Sequence, residues 1–394
     1  MAPVPHNSAT TPRQHYSQTA VIHPHTPAFP YPVCPTNRPE PTESERSVMV
    51  NCQIHGKEKI VLAPLPALEP KPDEVLIRLG AGGICGSDLH YYFEGKNGSF
   101  VVREPMTPGH EASGVLEAVG SNVRGLEAGM KVAVNPSHPC GKCPACRSGR
   151  ENLCESMFFL GSASIFPHAQ GMFADLFILG ARQVTPVESA VSLGELAFAE
   201  PLAVGLHAVQ RAGGNLSGKR VLVTGAGTIG SLCALAAKLA GAAEVTVCDV
   251  LDRPLTIAKQ AGADHTFRSD TTDAKDYAAR FDIALEAAGH PRALTACLTG
   301  VKRGGIVVQV GTLPNEDLPF PANSIMAREI DYRGAFRWGI EFDWAVDYLA
   351  GGKVDVKPLL TKQYPLEQAV EAFTLARDKS RATKVQVVGA DVPA

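Results

Sequence analysis

Several features are scarce or missing in this sequence, and each absence excludes a class of protein. Its 394 residues contain no uninterrupted apolar run long enough to span a bilayer. The first residues are polar and broken by proline, so they lack the apolar core of a secretory signal. The formal net charge is −3 and the basic residues are scattered, which speaks against a nucleic-acid partner. We therefore expect a cytoplasmic protein that binds neither membranes nor nucleic acid.

Cysteine is scarce outside one short segment. Four of the ten cysteines follow the spacing C-x2-C-x2-C-x7-C, and they are Cys140, Cys143, Cys146 and Cys154. A disulfide-stapled loop is the alternative, but disulfides belong mainly to oxidising compartments and small secreted domains. Closely spaced thiolates are typical of a closed, tetrahedral structural zinc site. We predict that these four cysteines bind a structural zinc ion.

The composition and the hydrophobic pattern of the sequence change along the chain. Residues 1–47 are rich in proline, histidine and hydroxyl side chains, so we expect a disordered extension. Residues 48–202 contain short strand-like runs broken by glycine and proline, which predicts a β-rich, partly closed barrel. From 203 to 338 strands and helices alternate, which is typical of a parallel, doubly wound α/β sheet.

A glycine motif marks the first strand-to-helix turn of the second region. Gly225, Gly227 and Gly230 form G-x-G-x-x-G, with Thr228 and Ile229 before the last glycine. The run "RVLVTG" predicts the strand before the motif, "SLCALAAKLAGA" the helix after it, and "EVTVCD" the next strand. In this context the glycines let a pyrophosphate approach the backbone at the helix N-terminus. We predict a dinucleotide-binding site here.

The end of the second strand bears on cofactor choice. Asp249 is placed to accept hydrogen bonds from the ribose hydroxyls, and its charge would repel a 2′-phosphate. This favours NAD, although Arg253 nearby would soften the repulsion and permit some use of NADP. Val310 and Gly311 end a later apolar run, and by sheet topology alone we place them near the nicotinamide.

Two glycine-rich segments of the β-rich region contain further metal ligands. Cys85 in "GGICGSDLHYY" offers a thiolate, while His110 and Glu111 in "PGHEASG" offer an imidazole and a carboxylate. Three such ligands with an open fourth position are typical of catalytic zinc. Each residue alone is more often a buried filler or a surface polar group. Their combination with the cysteine loop and the dinucleotide motif favours a catalytic zinc site.

These motifs, together with "AFAEPLAV" and "VTGAGTIG", resemble the medium-chain, zinc-dependent alcohol dehydrogenases from about Met49 to Val388. Within that family "NPSHPCGKC", "GHP" and "GAFR" resemble the polyol branch, which includes sorbitol and L-idonate 5-dehydrogenases. The resemblance implies a GroES-like catalytic domain beside a Rossmann domain, with residues 339–394 returning to the catalytic domain. It also implies two zinc ions per chain, NAD, and a homo-oligomer, either dimer or tetramer.

The resemblance also assigns zinc ligands. Cys85 and His110 match the family's catalytic zinc ligands. The carboxylate is either Glu111 or Glu200 of "AFAEPLAV", and the sequence leaves that choice open.

Four more residues receive roles in the same way. Ser87 matches the hydroxyl that bonds the substrate alcohol, and His90 is a candidate for passing its proton outward. Tyr91 and Arg337 match positions that line the substrate pocket. Polyol dehydrogenases often have tyrosine after that arginine, whereas this chain has Trp338.

The function implied is oxidation of a secondary alcohol of a small sugar acid or polyol. L-idonate, oxidised at C5 to 5-keto-D-gluconate, fits the motifs. A sorbitol, xylitol or threonine dehydrogenase is an alternative on the same scaffold. A non-catalytic NAD-binding relative is a second alternative, but such a protein has no need of the catalytic ligands that this chain retains.

The sequence predicts that wild-type protein prefers NAD over NADP because of Asp249. Replacing Asp249 with serine should narrow the difference in kcat/KM between the two cofactors by about 1–3 kcal/mol, because one charge repulsion is lost. Steady-state kinetics with both cofactors measure this. A wild-type preference for NADP would contradict the role given to Asp249.

Overall fold

The computed structural model describes residues 49–389, so the predicted disordered extension, residues 1–47, lies outside the described part. Within that part, no helix combines the length and the apolar character needed to cross a membrane.

Short strands dominate the N-terminal part of the described chain, because apolar and β-branched runs there are interrupted every few residues by glycine or proline. The strands are β1 (Val50–Ile54), β2 (Ile60–Pro64), β3 (Glu74–Gly83), β4 (Lys96–Asn97), β5 (Phe100–Val101), β6 (Glu111–Val119), β7 (Lys131–Val134), β8 (Ser137–His138), β9 (Phe158–Phe159), β10 (Leu176–Gly180) and β11 (Val184–Pro186). The helices of this part are α1 (Gly86–Glu94), α2 (Pro144–Arg147) and α3 (Leu193–Leu196).

Longer helices then alternate with strands. The helices are α4 (Ala199–Ala212), α5 (Thr228–Leu239), α6 (Asp252–Gln260), α7 (Pro291–Gly300) and α8 (Ala322–Arg328). The strands are β12 (Arg220–Thr224), β13 (Glu244–Asp249), β14 (His265–Arg268), β15 (Phe281–Glu286), β16 (Val301–Gln309) and β17 (Asp331–Gly334). They form a parallel sheet in the order β14-β13-β12-β15-β16-β17. This is the doubly wound dinucleotide-binding order, and its topological switch point lies between β12 and β15.

The last elements are α9 (Glu341–Ala350), β18 (Leu360–Pro365), α10 (Ala369–Arg377) and β19 (Lys384–Val388). Strands β18 and β19 join the first part of the chain in a seven-stranded sheet that follows the order β11-β7-β6-β3-β19-β18, with β10 also paired to β3. One edge of β3 pairs with β6, and the other passes from β10 to β19 along its length. The C-terminal segment therefore completes the sheet that contains β3 and β6.

Three apolar clusters hold these layers together. Helices α4, α5 and α9 cover one face of the parallel sheet with residues such as Leu206, Leu232 and Phe342. A smaller cluster that includes residues of α7 lies against Leu222 of β12. The β-rich sheet encloses its own cluster, in which Phe173 packs edge-on against Phe373 of α10.

One glycine fixes the path of the chain into the predicted metal site. Gly109 precedes His110, has φ of +95°, and its Cα faces the ring of Phe173 so closely that a Cβ would collide with it. Its backbone N–H also donates to the buried carboxylate of Asp88 at 3.1 Å. Both the backbone angle and the space therefore require glycine at this position.

We predict that Gly109→Ala lowers the free energy of unfolding by about 3 kcal/mol, combining left-handed backbone strain with a clash in the core. Gly125→Ala is the matched control, because Gly125 has φ of +75° and no atom lies within 4 Å of the place that a Cβ would occupy. That control should lose only about 1 kcal/mol. Equal losses in denaturant unfolding would show that the Phe173 contact does not matter.

Candidate active site

Sheet pairing brings the first predicted metal cluster together. Strand β6 begins at Glu111, which pairs in register with Gly83 at the end of β3, and Cys85 follows two residues after that glycine. The ligand atoms of Cys85, His110 and Glu111 lie within 4.8 Å of one another. Antiparallel pairing of two strands that are separated in sequence thus gathers a thiol, an imidazole and a carboxylate.

Asp88 supports this cluster, and sequence reasoning missed it. Its carboxylate is fully buried and accepts hydrogen bonds from the backbone N–H groups of Cys85 at 2.9 Å and Gly109 at 3.1 Å. One oxygen also lies 3.7 Å from Nδ1 of His110. Asp88 therefore ties together the two loops that contain the ligands. The available signal was its position three residues after Cys85, where an acid caps a helix.

Lys384 is the second residue that sequence reasoning missed. Its side chain is buried in β19, and its Nζ lies 2.8 Å and 2.6 Å from the two carboxylate oxygens of Glu111. It also donates to the carbonyl of Ile84 at 3.1 Å. The signal was a lysine at the start of the otherwise apolar-rich strand KVQVV. Both oxygens of Glu111 are thus paired with a protein cation.

Glu200 lies in the first turn of α4 and is buried. It is not part of the three-residue cluster just described. Burial raises the pKa of Glu200 to about 8; the charge of His110 opposes this rise and that of Glu111 adds to it. These interactions place Glu200 within electrostatic range of the cluster. Whether Glu111 or Glu200 is the carboxylate ligand stays a prediction.

The electrostatics of the site favour a metal cation. Burial alone would lower the pKa of His110, but the negative charges of Asp88 and Cys85 raise it well above its usual value. Its Nδ1 is buried and has no hydrogen-bond partner among the described residues. Several acidic groups thus surround His110, and the same field that favours a proton there favours a metal ion. A thiol, an imidazole and a carboxylate are the donor set of catalytic zinc, so the residues present fit this metal.

The four-cysteine loop, residues 137–159, begins in β8 and ends in β9, and the pairing of these two strands closes its base. The sulfur atoms of Cys140, Cys143, Cys146 and Cys154 lie within 4.8 Å of one another, and all four thiols are free. Backbone N–H groups of Cys146 and Glu155 lower the pKa of the Cys143 thiol to about 6. The loop therefore stabilises a thiolate and offers four sulfurs at one point, which fits zinc rather than a disulfide pair.

The predicted dinucleotide site lies at the switch point of the parallel sheet. Gly225 has φ of +89°, and a Cβ on Gly230 would collide with the carbonyl of Gly225. The carboxylate of Asp249 accepts hydrogen bonds from the N–H groups of Ala226 and Val250, both at 2.7 Å. Asp249 therefore shapes the glycine loop as well as ending β13. Its predicted contact with the ribose stays a prediction.

The other predicted cofactor residues are spread around this turn. Thr228 and Ile229 begin α5, and the Thr228 hydroxyl donates to the carbonyl of Thr383 at 2.9 Å. Arg253 on α6 donates to the Thr383 hydroxyl at 3.2 Å. The segment before Lys384 thus contacts two parts of the cofactor site.

Val310 and Gly311 follow β16, and their N–H groups donate to the backbone carbonyl of Glu286 at 2.8 Å and 2.9 Å. The Glu286 carboxylate is buried and accepts from the N–H groups of Ala288 and Gly289 at 3.0 Å and 2.9 Å. Sequence reasoning missed Glu286, which ends an apolar strand. It orders the loop at the carboxyl end of β15, beside the switch point.

Three predicted residues lie on α1, but their surroundings differ. Ser87 is half-buried, and its hydroxyl has no hydrogen-bond partner among residues 49–389. His90 is exposed and bonds Glu94 at 2.8 Å. Tyr91 is buried, and its hydroxyl accepts from the N–H of Ala163 at 3.1 Å. The structure thus gives Tyr91 a loop-holding contact, and its role as a substrate residue stays a prediction.

One aromatic ring, that of Phe159, lies between Arg337 and the metal cluster. Its guanidinium carbon lies 4.4 Å from the ring centre of Phe159 and 4.8 Å from that of Phe336. The Phe159 ring lies 5.5 Å from the His110 ring. Burial lowers the pKa of Arg337, and the charge of Glu200 opposes that shift. Phe159, at the end of the cysteine loop, was not identified from sequence.

Comparison with known proteins agrees with this geometry. The alcohol dehydrogenase GroES-like domain matches residues 71–189, and the zinc-binding dehydrogenase domain matches residues 228–351. L-idonate 5-dehydrogenase (NAD(P)(+)) of Escherichia coli K12 is 40% identical over 341 residues, which cover 86% of this chain and 98% of that protein. The chain belongs to the zinc-dependent medium-chain alcohol dehydrogenases.

Further relatives place this dehydrogenase in the polyol branch. Sorbitol dehydrogenase of Bacillus subtilis is 37% identical over 342 residues, which cover 85% of this chain and 95% of that protein. The crystal structure of the E. coli L-idonate 5-dehydrogenase aligns with a TM-score of 0.82 at 39% identity, covering 86% of this chain and 98% of that one. A zinc-binding dehydrogenase of Sinorhizobium meliloti bound to NADP aligns with a TM-score of 0.80 at 28% identity, covering 87% and 100%.

These matches confirm the predicted fold class, a Rossmann sheet with a GroES-like domain. They also confirm zinc and a nicotinamide dinucleotide as the cofactors of this dehydrogenase.

We predict two zinc ions per chain with separable roles. Cys140→Ser should lose one zinc ion and lower the free energy of unfolding by more than about 2 kcal/mol, because metal binding by a loop is coupled to its folding. Cys85→Ser should lose the other ion and the activity while largely keeping the fold. Elemental analysis with thermal unfolding checks both. Fewer than two zinc ions in freshly purified wild-type dehydrogenase would contradict the prediction.

Proposed function

We propose that this dehydrogenase oxidises C5 of L-idonate to 5-keto-D-gluconate with NAD or NADP as the hydride acceptor. The observation that carries the proposal is the position of Arg337, stacked on Phe159 next to His110. A guanidinium there could bind the carboxylate of a sugar acid while a hydroxyl farther along the substrate lies at the metal cluster. Similarity to an L-idonate 5-dehydrogenase over 86% of the chain supports it.

The proposed catalytic residues divide the work. Cys85, His110 and one of the two carboxylates, Glu111 or Glu200, would hold the catalytic zinc. When bound, zinc polarises the substrate hydroxyl as a Lewis acid, and the nicotinamide accepts the hydride. Asp88 orients His110 by facing its Nδ1, which leaves Nε2 for the metal.

Proton release would begin at Ser87. Its hydroxyl has no protein partner among the described residues, so it is available to accept a hydrogen bond from the substrate alcohol. His90 lies three residues later on the same face of α1 and is exposed. Its imidazole would pass the proton to solvent, since one ring nitrogen can accept a proton while the other donates one. Lys384 pairs with both oxygens of Glu111 in this arrangement.

The cofactor would lie across the switch point between the two halves of the parallel sheet. We propose that its pyrophosphate rests on the loop of Gly225, Gly227 and Gly230, and its adenosine ribose on Asp249. We propose domain limits of 48–202 and 203–338, with 339–394 returning to the first domain, and the reacting carbon would then lie in the cleft between the two domains.

A neutral polyol such as sorbitol is the second candidate substrate. Similarity to sorbitol dehydrogenase over 85% of the chain favours it. With that substrate Arg337 has no carboxylate to bind, and its contacts with Phe159 and Phe336 would serve only the shape of the pocket. The two candidates therefore differ in what Arg337 contributes.

We predict that Arg337→Met reduces kcat/KM more for L-idonate than for sorbitol, by about 1.5–3 kcal/mol, the scale of a hydrogen bond to a charged group. Arg292→Met is the control, since Arg292 is exposed on α7 and its side chain has no partner among the described residues. Steady-state kinetics on both substrates measure the difference. Equal losses would assign Arg337 to pocket architecture, and faster wild-type turnover of sorbitol would replace L-idonate as the proposed substrate.

A further inference from the structure

The four-cysteine loop touches the catalytic cleft at its base. Phe159 ends the loop in β9, and its ring contacts His110, Arg337 and Trp338, the last at 6.0 Å between ring centres. The pairing of β8 with β9 fixes this ring relative to the loop. The loop therefore contributes a side chain that lies between the metal cluster and Arg337, in addition to any stabilising role.

The same loop touches the cleft again near its tip. The Asn152 side-chain N–H donates to the backbone carbonyl of Phe336 at 2.9 Å, across 184 residues of sequence. Phe336 directly precedes Arg337, whose φ is +54°. Non-glycine residues rarely adopt that left-handed conformation, and it persists only where neighbouring contacts impose it.

The surroundings of this hydrogen bond determine how much it contributes to the position of Phe336. A cavity of about 390 Å³ separates the loop tip from the segment after β17, and its lining includes Asn152, Leu153, Phe336 and Ile340. Among residues 49–389, the Asn152 bond is the one hydrogen bond that joins the loop to residues 334–341. Open space lies beside this bond, and the neighbouring hydrogen bonds act on Gly334, which accepts from Arg211, and on Ala335, which donates to Gln309. Among the described residues, the Asn152 bond is the one hydrogen bond to the Phe336 carbonyl.

We propose that the four-cysteine loop is part of the substrate-specificity apparatus, with Asn152 as a positioning residue that holds Arg337 in its left-handed conformation against Phe159. This rests on the proposed function only in that Arg337 must contact the substrate. The four-cysteine loop then acts on Arg337 at two points. Phe159, at the base of the loop, stacks on the guanidinium, and Asn152, near the tip, binds the backbone carbonyl of the preceding residue. The metal of the loop would influence substrate binding as well as stability.

The first test removes the hydrogen bond and keeps the number and branching of the side-chain heavy atoms. Asn152→Leu should raise KM for the acid substrate about fivefold, the effect of one lost hydrogen bond, and leave kcat and KM for the dinucleotide within about twofold. Zinc content should stay unchanged. Glu151→Leu places the same side chain at the adjacent exposed position and should leave KM unchanged. An unchanged KM in Asn152→Leu would overturn the proposal.

A second readout does not depend on activity. The chain has two tryptophans, and Trp338 is adjacent to Arg337. In a Trp344→Phe background, fluorescence reports on Trp338 alone, which is buried. Asn152→Leu should increase quenching of this emission by acrylamide, and Glu151→Leu should not. Identical quenching in both variants would mean that the bond does not hold the Arg337 segment.

A double-mutant cycle separates positioning from general structure. If Asn152 acts through Arg337, then Asn152→Leu should cause no further rise in KM in an Arg337→Met background. Full additivity of the two changes would overturn the proposal. Turnover of sorbitol in place of L-idonate would overturn the proposed substrate, and the quenching of Trp338 would then still test whether Asn152 holds the Arg337 segment.

Discussion

A buried group of acidic side chains around one histidine is the constraint on which this active site depends. A thiol and the carboxylates of Asp88, Glu111 and Glu200 converge on His110, and Lys384 is the cation that the β-rich sheet supplies. Burying charges without compensation is costly, so burial raises the pKa of Asp88 and of Glu200, and a positive ion at the cluster would favour their ionised forms. The backbone serves this arrangement, since Asp88 binds two N–H groups and Gly109 takes a conformation that only glycine adopts easily.

Two neighbouring residues of the C-terminal segment connect the metal cluster to the cofactor site. The Thr383 carbonyl accepts from Thr228 at the start of α5, its hydroxyl accepts from Arg253, and Lys384 binds Glu111. Hydride transfer requires the reacting carbon and the nicotinamide to be held within a few tenths of an ångström of their reactive arrangement. A short stretch with contacts to both sites is a direct way to keep them aligned.

The sequence was most informative where chemistry is local. The cysteine spacing and the glycine motif each specify a short turn, and the structure gathers the four sulfurs of the cysteine loop as that spacing suggests. Lys384 and Phe159 were not identified, because their partners are remote in sequence and depend on strand pairing. Lys384 and Glu111 are 273 residues apart, and the residues next to Lys384 in the sequence do not indicate which side chain it pairs with. The one signal in the sequence was a charged residue at the start of an apolar-rich strand.

That separation also orders events during biosynthesis. At typical rates of translation, the 273 residues between Glu111 and Lys384 take roughly 15–55 s to synthesise. Throughout that interval Cys85, His110 and Glu111 have emerged without the lysine that later covers the carboxylate. The ion pair between Glu111 and Lys384 therefore cannot form until the residues between them have been synthesised.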